Sequence, residues 1–370
     1  MEGIINVSPP RHPQAAQNGQ LFIDDLYVFP GEGSTVFVMD VNSDITGFHA
    51  EPGFHDEARY EIKVHFDGAD QETVTYRFSF GVPEASGRQP LRLHTLTGSD
   101  AREDSAEGVL VLEGRTGETA TAAGVRAWAA RPGSLLRRPG LARRRQRRRG
   151  ERHRGTPDLL ESSGRTELLR RDHGGSDRPR SPHGRDELRP GARTGVWCAT
   201  KLATDAGGWR QINRAGNPMM WPIFWPDDTD FSDPASTRHP SEDVAAFGGT
   251  IADRVAKVVA ATGTSADPAG YGRTVAGQLL PDVLPYVIGT PASFGFATRN
   301  GRTRADNAPE AMMSLVTKMA VPSGLTPATT EAQRTDQFPS RTGVSTRGRG
   351  TDCRPPSPFA RPLASTHVTY

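Results

Sequence analysis

Cysteine is nearly absent from this chain: 370 residues hold two, Cys198 and Cys353. Two cysteines give neither a disulfide framework nor a zinc-ligand spacing, and they fit a reducing compartment. No stretch approaches the roughly 20 consecutive apolar residues that a membrane helix needs. The opening Met1-Glu2-Gly3-Ile4-Ile5-Asn6 lacks a basic segment followed by an apolar one, so no secretory leader is visible. A cytoplasmic protein without a membrane partner is therefore expected. Also missing are a Gly-rich phosphate loop, Gly-x-Ser-x-Gly, His-Glu-x-x-His and Cys-x-x-Cys, which argues against a mainstream enzyme. Hydrophobic residues make up only 35%, while 40 Gly and 30 Pro mark a loop-rich chain.

The formal charge of +2 hides an uneven distribution. Residues 131–185 carry 17 Arg against 6 acids and contain no Lys, Phe, Tyr, Trp, Ile, Val or Met. The last 30 residues carry 5 Arg against 1 acid, so the remaining 285 hold 23 basic and 36 acidic residues, a net of −13. The run Arg143-Arg144-Arg145-Gln146-Arg147-Arg148-Arg149 admits three readings. It could be a nucleic-acid arm that neutralises phosphates, or a solvated linker with too little apolar surface to offset its ordering entropy. The favoured third reading is translation in a shifted frame, because GC-rich DNA read out of frame yields mainly Arg, Pro, Gly, Ala and Ser. The tail from Arg341 has the same texture.

The first 130 residues read as strands. Tyr60, Ile62, Val64 and Phe66 alternate with Arg59, Glu61, Lys63 and His65. Beyond Asp67-Gly68-Ala69-Asp70, Val74, Tyr76, Phe78 and Phe80 alternate with Thr73, Thr75, Arg77 and Ser79. Period two on both sides of a turn predicts a hairpin with one face buried. Further strands are expected at Leu21–Phe29, Thr35–Val41, Leu91–Leu96 and Val109–Glu113, antiparallel because the connections are too short for helical crossovers. Later, short strands are expected at Gly195–Thr200 and Trp209–Ile212. Ser241 is placed to cap a helix through Val244, Phe247, Ile251, Val255 and Val258. Asp267-Pro268 opens a second helix through Tyr271, Val275 and Leu279; Asn307 and Pro309 open a third through Met312, Val316 and Met319. Thr326-Pro327 is a candidate start for a fourth. The expected fold is β-rich α+β: antiparallel strands in the N-terminal half, several helices in the C-terminal half, and an irregular Arg-rich centre. Its divisions are 1–130, the Arg-rich 131–185, a mixed half at 186–340 that completes the same domain, and the tail 341–370.

Three sets of residues could carry chemistry. Asp24, Asp25, Asp40 and Asn42 could gather between neighbouring strands as an acidic ligand site, or serve as turn and edge residues that deter edge pairing. His55 and Glu57, two apart, would share a face of an extended segment, with His65 nearby in sequence; that set could seat a transition metal or simply be solvated. Trp209, Trp221, Phe224 and Trp225, punctuated by Pro218, Pro222 and Pro226, would form a binding groove if exposed, or cover one end of the sheet.

Several segments, in order, resemble a bacterial family known as domain of unknown function 4331, particularly its actinobacterial branch. They are Ile23-Asp24-Asp25-Leu26-Tyr27-Val28-Phe29, Phe37-Val38-Met39-Asp40-Val41-Asn42, Phe54-His55-Asp56-Glu57-Ala58-Arg59-Tyr60 and the hairpin from Asp67 to Phe80. Gly124-Val125-Arg126-Ala127-Trp128, Trp209 to Pro218, Leu284 to Thr290, Asn300-Gly301-Arg302 and Phe338-Pro339 follow. The resemblance spans roughly 20–130 and 187–339 and breaks at the two Arg-rich stretches. It implies no established activity. It does imply that the Asp67–Asp70 turn occupies the place of an aspartate-rich loop suited to calcium, although Ala69 stands where relatives tend to have another Asp. Calcium takes six to eight oxygen ligands, and Asp67, Asp70 and Glu72 supply few.

The resulting expectation is a non-catalytic β-rich protein that binds a small ligand or a divalent cation, with no other cofactor identified. The runner-up is a hydrolase or isomerase using the acids near Asp24 and Asp40; nucleic acid is not the expected partner. The shifted-frame reading makes one prediction. Translating the DNA of residues 131–185 in its two other frames yields a segment with aromatic and aliphatic residues like those of the family, and finding none there refutes it.

Overall fold

The computed structural model describes residues 19–41, 53–130, 165–172, 188–225 and 234–324, with 165–172 described by its backbone alone. Strands β1 (Ile23–Gly31) and β2 (Ser34–Val41) form a hairpin. A meander follows of β3 (Ala58–Phe66), β4 (Val74–Phe80), β5 (Pro90–Thr97) and β6 (Val109–Arg115). Next come β7 (Thr119–Ala122), β8 (Val125–Trp128), β9 (Arg165–Asp172), β10 (Arg193–Ala203), β11 (Trp209–Ala215) and β12 (Leu284–Val287). They make two sheets, one ordered β1-β2-β9-β8-β7, the other β11-β10-β3-β4-β5-β6 with β12 also paired to β10. Every pairing is antiparallel, as the short connections require.

The helices lie in the C-terminal half: α1 (Met220–Phe224), α2 (Asp243–Thr262), α3 (Pro268–Leu279) and α4 (Ala308–Thr317). Two of the expected caps are made. The Asp267 side chain accepts from Gly270 N–H, and that of Asn307 accepts from Glu310 N–H. The third differs. Ser241 lies inside a short 3₁₀ turn, Pro240–Glu242, which is capped by the side chain of His239 instead. The buried stripe of α2 is Phe247, Ile251, Val255 and Val259, while Val244 is exposed. The candidate start at Thr326 lies outside the described residues.

The core sits between the sheets. Leu26, Val28, Phe37 and Met39 of the first meet Tyr60, Ile62, Val64, Tyr76 and Phe78 of the second, with the Phe37 and Tyr76 rings 6.0 Å apart. Burying each such side chain contributes roughly 1.5–3 kcal/mol. Inside the Arg-rich interval expected to be irregular, Arg165–Asp172 is a strand between β2 and β8. Both neighbours would otherwise present unpaired backbone groups on that side, which a short strand satisfies; the rest of 131–185 lies outside the described residues.

The aromatic patch divides. Trp221, Trp225 and Phe247 pack ring against ring with centroids 5.3 to 5.5 Å apart, and Phe224 and Trp225 are buried, so this part of the patch seats α2 on the core. Trp209 stands apart, with the Arg59 guanidinium 3.7 Å above its ring.

Helix α2 is fixed to the sheet by a buried charge triad. Arg214 of β11 donates to Asp243 at 2.6 Å and to the Ala235 carbonyl at 2.5 Å, and lies 3.8 Å from Asp282. Asp282 accepts from Asn217 N–H at 2.7 Å, and none of the three charged side chains is solvent-exposed. One arginine between two acids leaves an excess negative charge. Burial raises the Asp282 pKa to about 7, more than Arg214 lowers it, and Asp243 adds to the rise. Below that value the folded state holds a proton that the unfolded chain, near 3.8, has lost. Stability contributed by this group therefore falls as pH rises from about 4 to about 7, on the order of 4 kcal/mol in all. Thermal melts across this range should show wild type losing stability relative to Asp282→Asn as pH rises. Parallel pH profiles for the two proteins refute the assignment.

Candidate functional site

Alternation in β3 predicts one solvated face, and the structure corrects this. Glu61, Lys63 and His65, opposite the apolar residues, are all buried. Two segments cover them. Residues 98–107 supply carbonyl groups: Ala101 O accepts from Lys63 Nζ (3.2 Å) and Thr75 Oγ1 (2.7 Å), Ala106 O from Arg77, and Asp104 O from Arg59 (2.7 Å). Residues 234–242 dock through Gln211, which donates to Ser236 O (2.8 Å) and Arg238 O (3.1 Å).

Under this cover lies an ion network. Glu61 accepts from its cross-strand neighbour Arg77 at 2.6 Å, and its other oxygen lies 3.3 Å from both Lys63 Nζ and Lys201 Nζ without a well-aligned hydrogen bond. Lys63 donates to Glu72 at 2.7 Å, and Lys201 pairs with Asp104. Burial alone would raise the Glu61 pKa, but Lys63, Lys201 and Arg77 outweigh it and hold the carboxyl well below the usual range. Burial likewise opposes ionisation of Glu72, but the His239 hydrogen bond and Lys63 bring it down to about 2. Three cations (Lys63, Arg77, Lys201) thus face three anions (Glu61, Glu72, Asp104) and balance.

At one end of the network His65, Glu72 and His239 converge, their ligand atoms all within 4.8 Å of one another. His239 Nε2 lies 2.8 Å and His65 Nε2 3.7 Å from Glu72 Oε2. His65 Nδ1 meets the Ala69 carbonyl at 2.9 Å, which places the ring proton there and leaves Nε2 as an acceptor for the Trp197 indole N–H, also at 2.9 Å. Burial lowers the His65 pKa, consistent with a neutral ring. Beside this group an open cleft of about 740 Å³ is lined by Glu72, His239, Trp197, Lys63, Lys201, Trp209, Arg102 and Arg210 among others. Arg102 and Arg210 are exposed, and among the described residues neither guanidinium has an ion-pair partner.

Ser241 Oγ lies 2.8 Å from His239 Nδ1, so Ser241, His239 and Glu72 are connected like a nucleophile, base and acid. The turn offers no oxyanion donors, however. The N–H groups of Ser241, Glu242 and Asp243 are already given to His239 Nδ1, His239 O and Pro240 O.

The expected sites are dispersed. Asp25 and Asp40 face each other across β1 and β2, but Asp25 accepts from Arg302 at 2.5 Å and from the Tyr27 hydroxyl at 3.0 Å. Burial opposes the Arg302 charge, yet Asp25 outweighs it and holds the guanidinium above its ordinary pKa. Asp24 lies beside them on β1, Asn42 lies outside the described residues, and none of these acids lines the cleft. His55 and Glu57 occupy a turn before β3, not an extended segment, and His55 Nδ1 accepts Glu57's own N–H at 3.1 Å. Asp67 and Asp70 are exposed turn residues; Asp67 (φ 51°) and Gly68 (φ 79°) reverse the chain, and among the described residues no metal-type cluster includes them. Of the sequence candidates, His65 and Glu72, each noted beside another set, and Trp209 of the aromatic patch reach the site. His239, Lys201, Arg102 and Arg210 were missed; the signal that pointed there was the polar half of the β3 alternation. No family model, no curated protein and no solved structure matches this chain.

Proposed function

We propose that this protein binds a small anionic ligand, of the carboxylate or phosphate class, in the cleft on the polar face of the larger sheet. The observation that carries the reading is the pair of exposed arginines, Arg102 and Arg210, beside a network whose own charges already balance. Planar guanidinium forks suit two-point recognition of carboxylate or phosphate. Trp197 and Trp209 add aromatic wall, and the mixture of apolar and convergent polar groups is what small-molecule sites use. The donated amides around Ser241 speak for binding over acyl transfer. The resemblance to domain of unknown function 4331 is retained as part of this proposal and adds no activity to it.

Calorimetric titration with inorganic phosphate and with citrate tests the reading. At least one should bind in the millimolar range or tighter. The double variant Arg102→Ala/Arg210→Ala should weaken it at least tenfold while leaving the melting temperature unchanged, because both side chains are exposed. No binding of either anion, or equal binding by the variant, overturns it.

A further inference from the structure

We propose that His65, Glu72 and His239 form a binding site for a divalent transition-metal ion at the inner end of the cleft. The donor set is two imidazoles and one carboxylate, drawn from β3, the loop after it, and the turn before α2. Such a mixture of nitrogen and oxygen donors suits zinc, cobalt or iron and not calcium or magnesium, which demand oxygen cages.

Each ligand is held from behind, as metal ligands are. His65 Nδ1 is fixed on the Ala69 carbonyl, which leaves Nε2, 3.7 Å from Glu72 Oε2, as the unprotonated ring nitrogen. Glu72 keeps Oε1 on Lys63, leaving Oε2 for the ion. His239 Nε2 points at the same Oε2, and when the ion replaces the proton there, Nδ1–H donates to Ser241 Oγ, already 2.8 Å away. The two separations from Glu72 Oε2, 2.8 and 3.7 Å, bracket the spacing of roughly 3.3 Å between ligands on a tetrahedral ion with bonds near 2.0–2.1 Å, and the two histidine nitrogens lie within 4.8 Å of each other. Glu72 and His239 both line the cleft, so solvent reaches the remaining coordination position.

Three features oppose the ion. The Trp197 indole must release His65 Nε2, the Ser241 N–H must release His239 Nδ1, and Lys63 brings a like charge close by. The fully buried Glu61 carboxylate, 3.3 Å from Lys63, offsets the last. The strongly bonded resting network therefore predicts a modest affinity with ready exchange.

The site stands independently of the anion reading, and its probe is the metal alone. Tag-free full-length protein, stripped with chelator and dialysed, is titrated with Co²⁺ while visible absorption is recorded. The expected result is the ligand-field band of low-coordinate cobalt, saturating at one ion per chain and displaced by Zn²⁺. His239→Ala, whose fold is checked by its melt, should lose the band or weaken binding at least tenfold. Arg102→Ala/Arg210→Ala should keep it. No band in the wild type, or a band unchanged in His239→Ala, overturns the proposal. Cobalt binding without anion binding would sink the proposed function and leave the metal site standing.

Discussion

Glu61 is a carboxylate with no exposed surface, placed in the middle of a sheet and ringed by cations from three strands: Lys63 on β3, Arg77 on β4 and Lys201 on β10. That arrangement governs one whole side of the molecule. A buried charge costs several kcal/mol unless paired and hydrogen-bonded, and a buried pair adds little net stability even when well made. What such a network fixes is geometry. The cations need further acceptors, and residues 98–107 provide them as backbone carbonyls; Glu72 needs a second donor, and the turn before α2 provides His239. The polar face thus dictates its own cover.

The cover in turn creates the cleft. Residues 98–107 and 234–242 approach the sheet from different elements, and Arg102 from one and His239 and Ser241 from the other line the gap. Charges needed to bury the sheet face are spent within it, so the arginines at the mouth stay available to a ligand. The opposite face of the same sheet contributes none of this chemistry; its Tyr60, Ile62 and Val64 simply pack against the partner sheet.

Much of the fold was legible because it is local. Period two in β3 and β4, and the caps Asp267 and Asn307, act over a few residues and are realised as read. The site was not legible because its contacts are distant. Glu72 and His239 are separated by 167 positions, so nothing near β3 announces that its polar face is covered. Ser241 has the residue type of a helix cap, but the neighbouring His239 ring takes that role. Asp25 and Asp40 do come together, as their strands suggested, but Arg302, 277 positions from Asp25, takes up the charge that a ligand would have met. The strand Arg165–Asp172 escaped notice because its formation depends on the edges of β2 and β8 more than on its own composition.

The covered polar face requires Glu61 to be ionised and enclosed. Its side-chain carboxyl ¹³C shift, followed by NMR as the pH is lowered, reads this directly. The shift should stay flat until the protein unfolds in acid, since the surrounding cations hold the group ionised. A titration in the folded protein with a midpoint near the ordinary glutamate value of about 4.3 would mean a solvated, unpaired carboxylate, and would contradict the covered polar face on which the cleft is built.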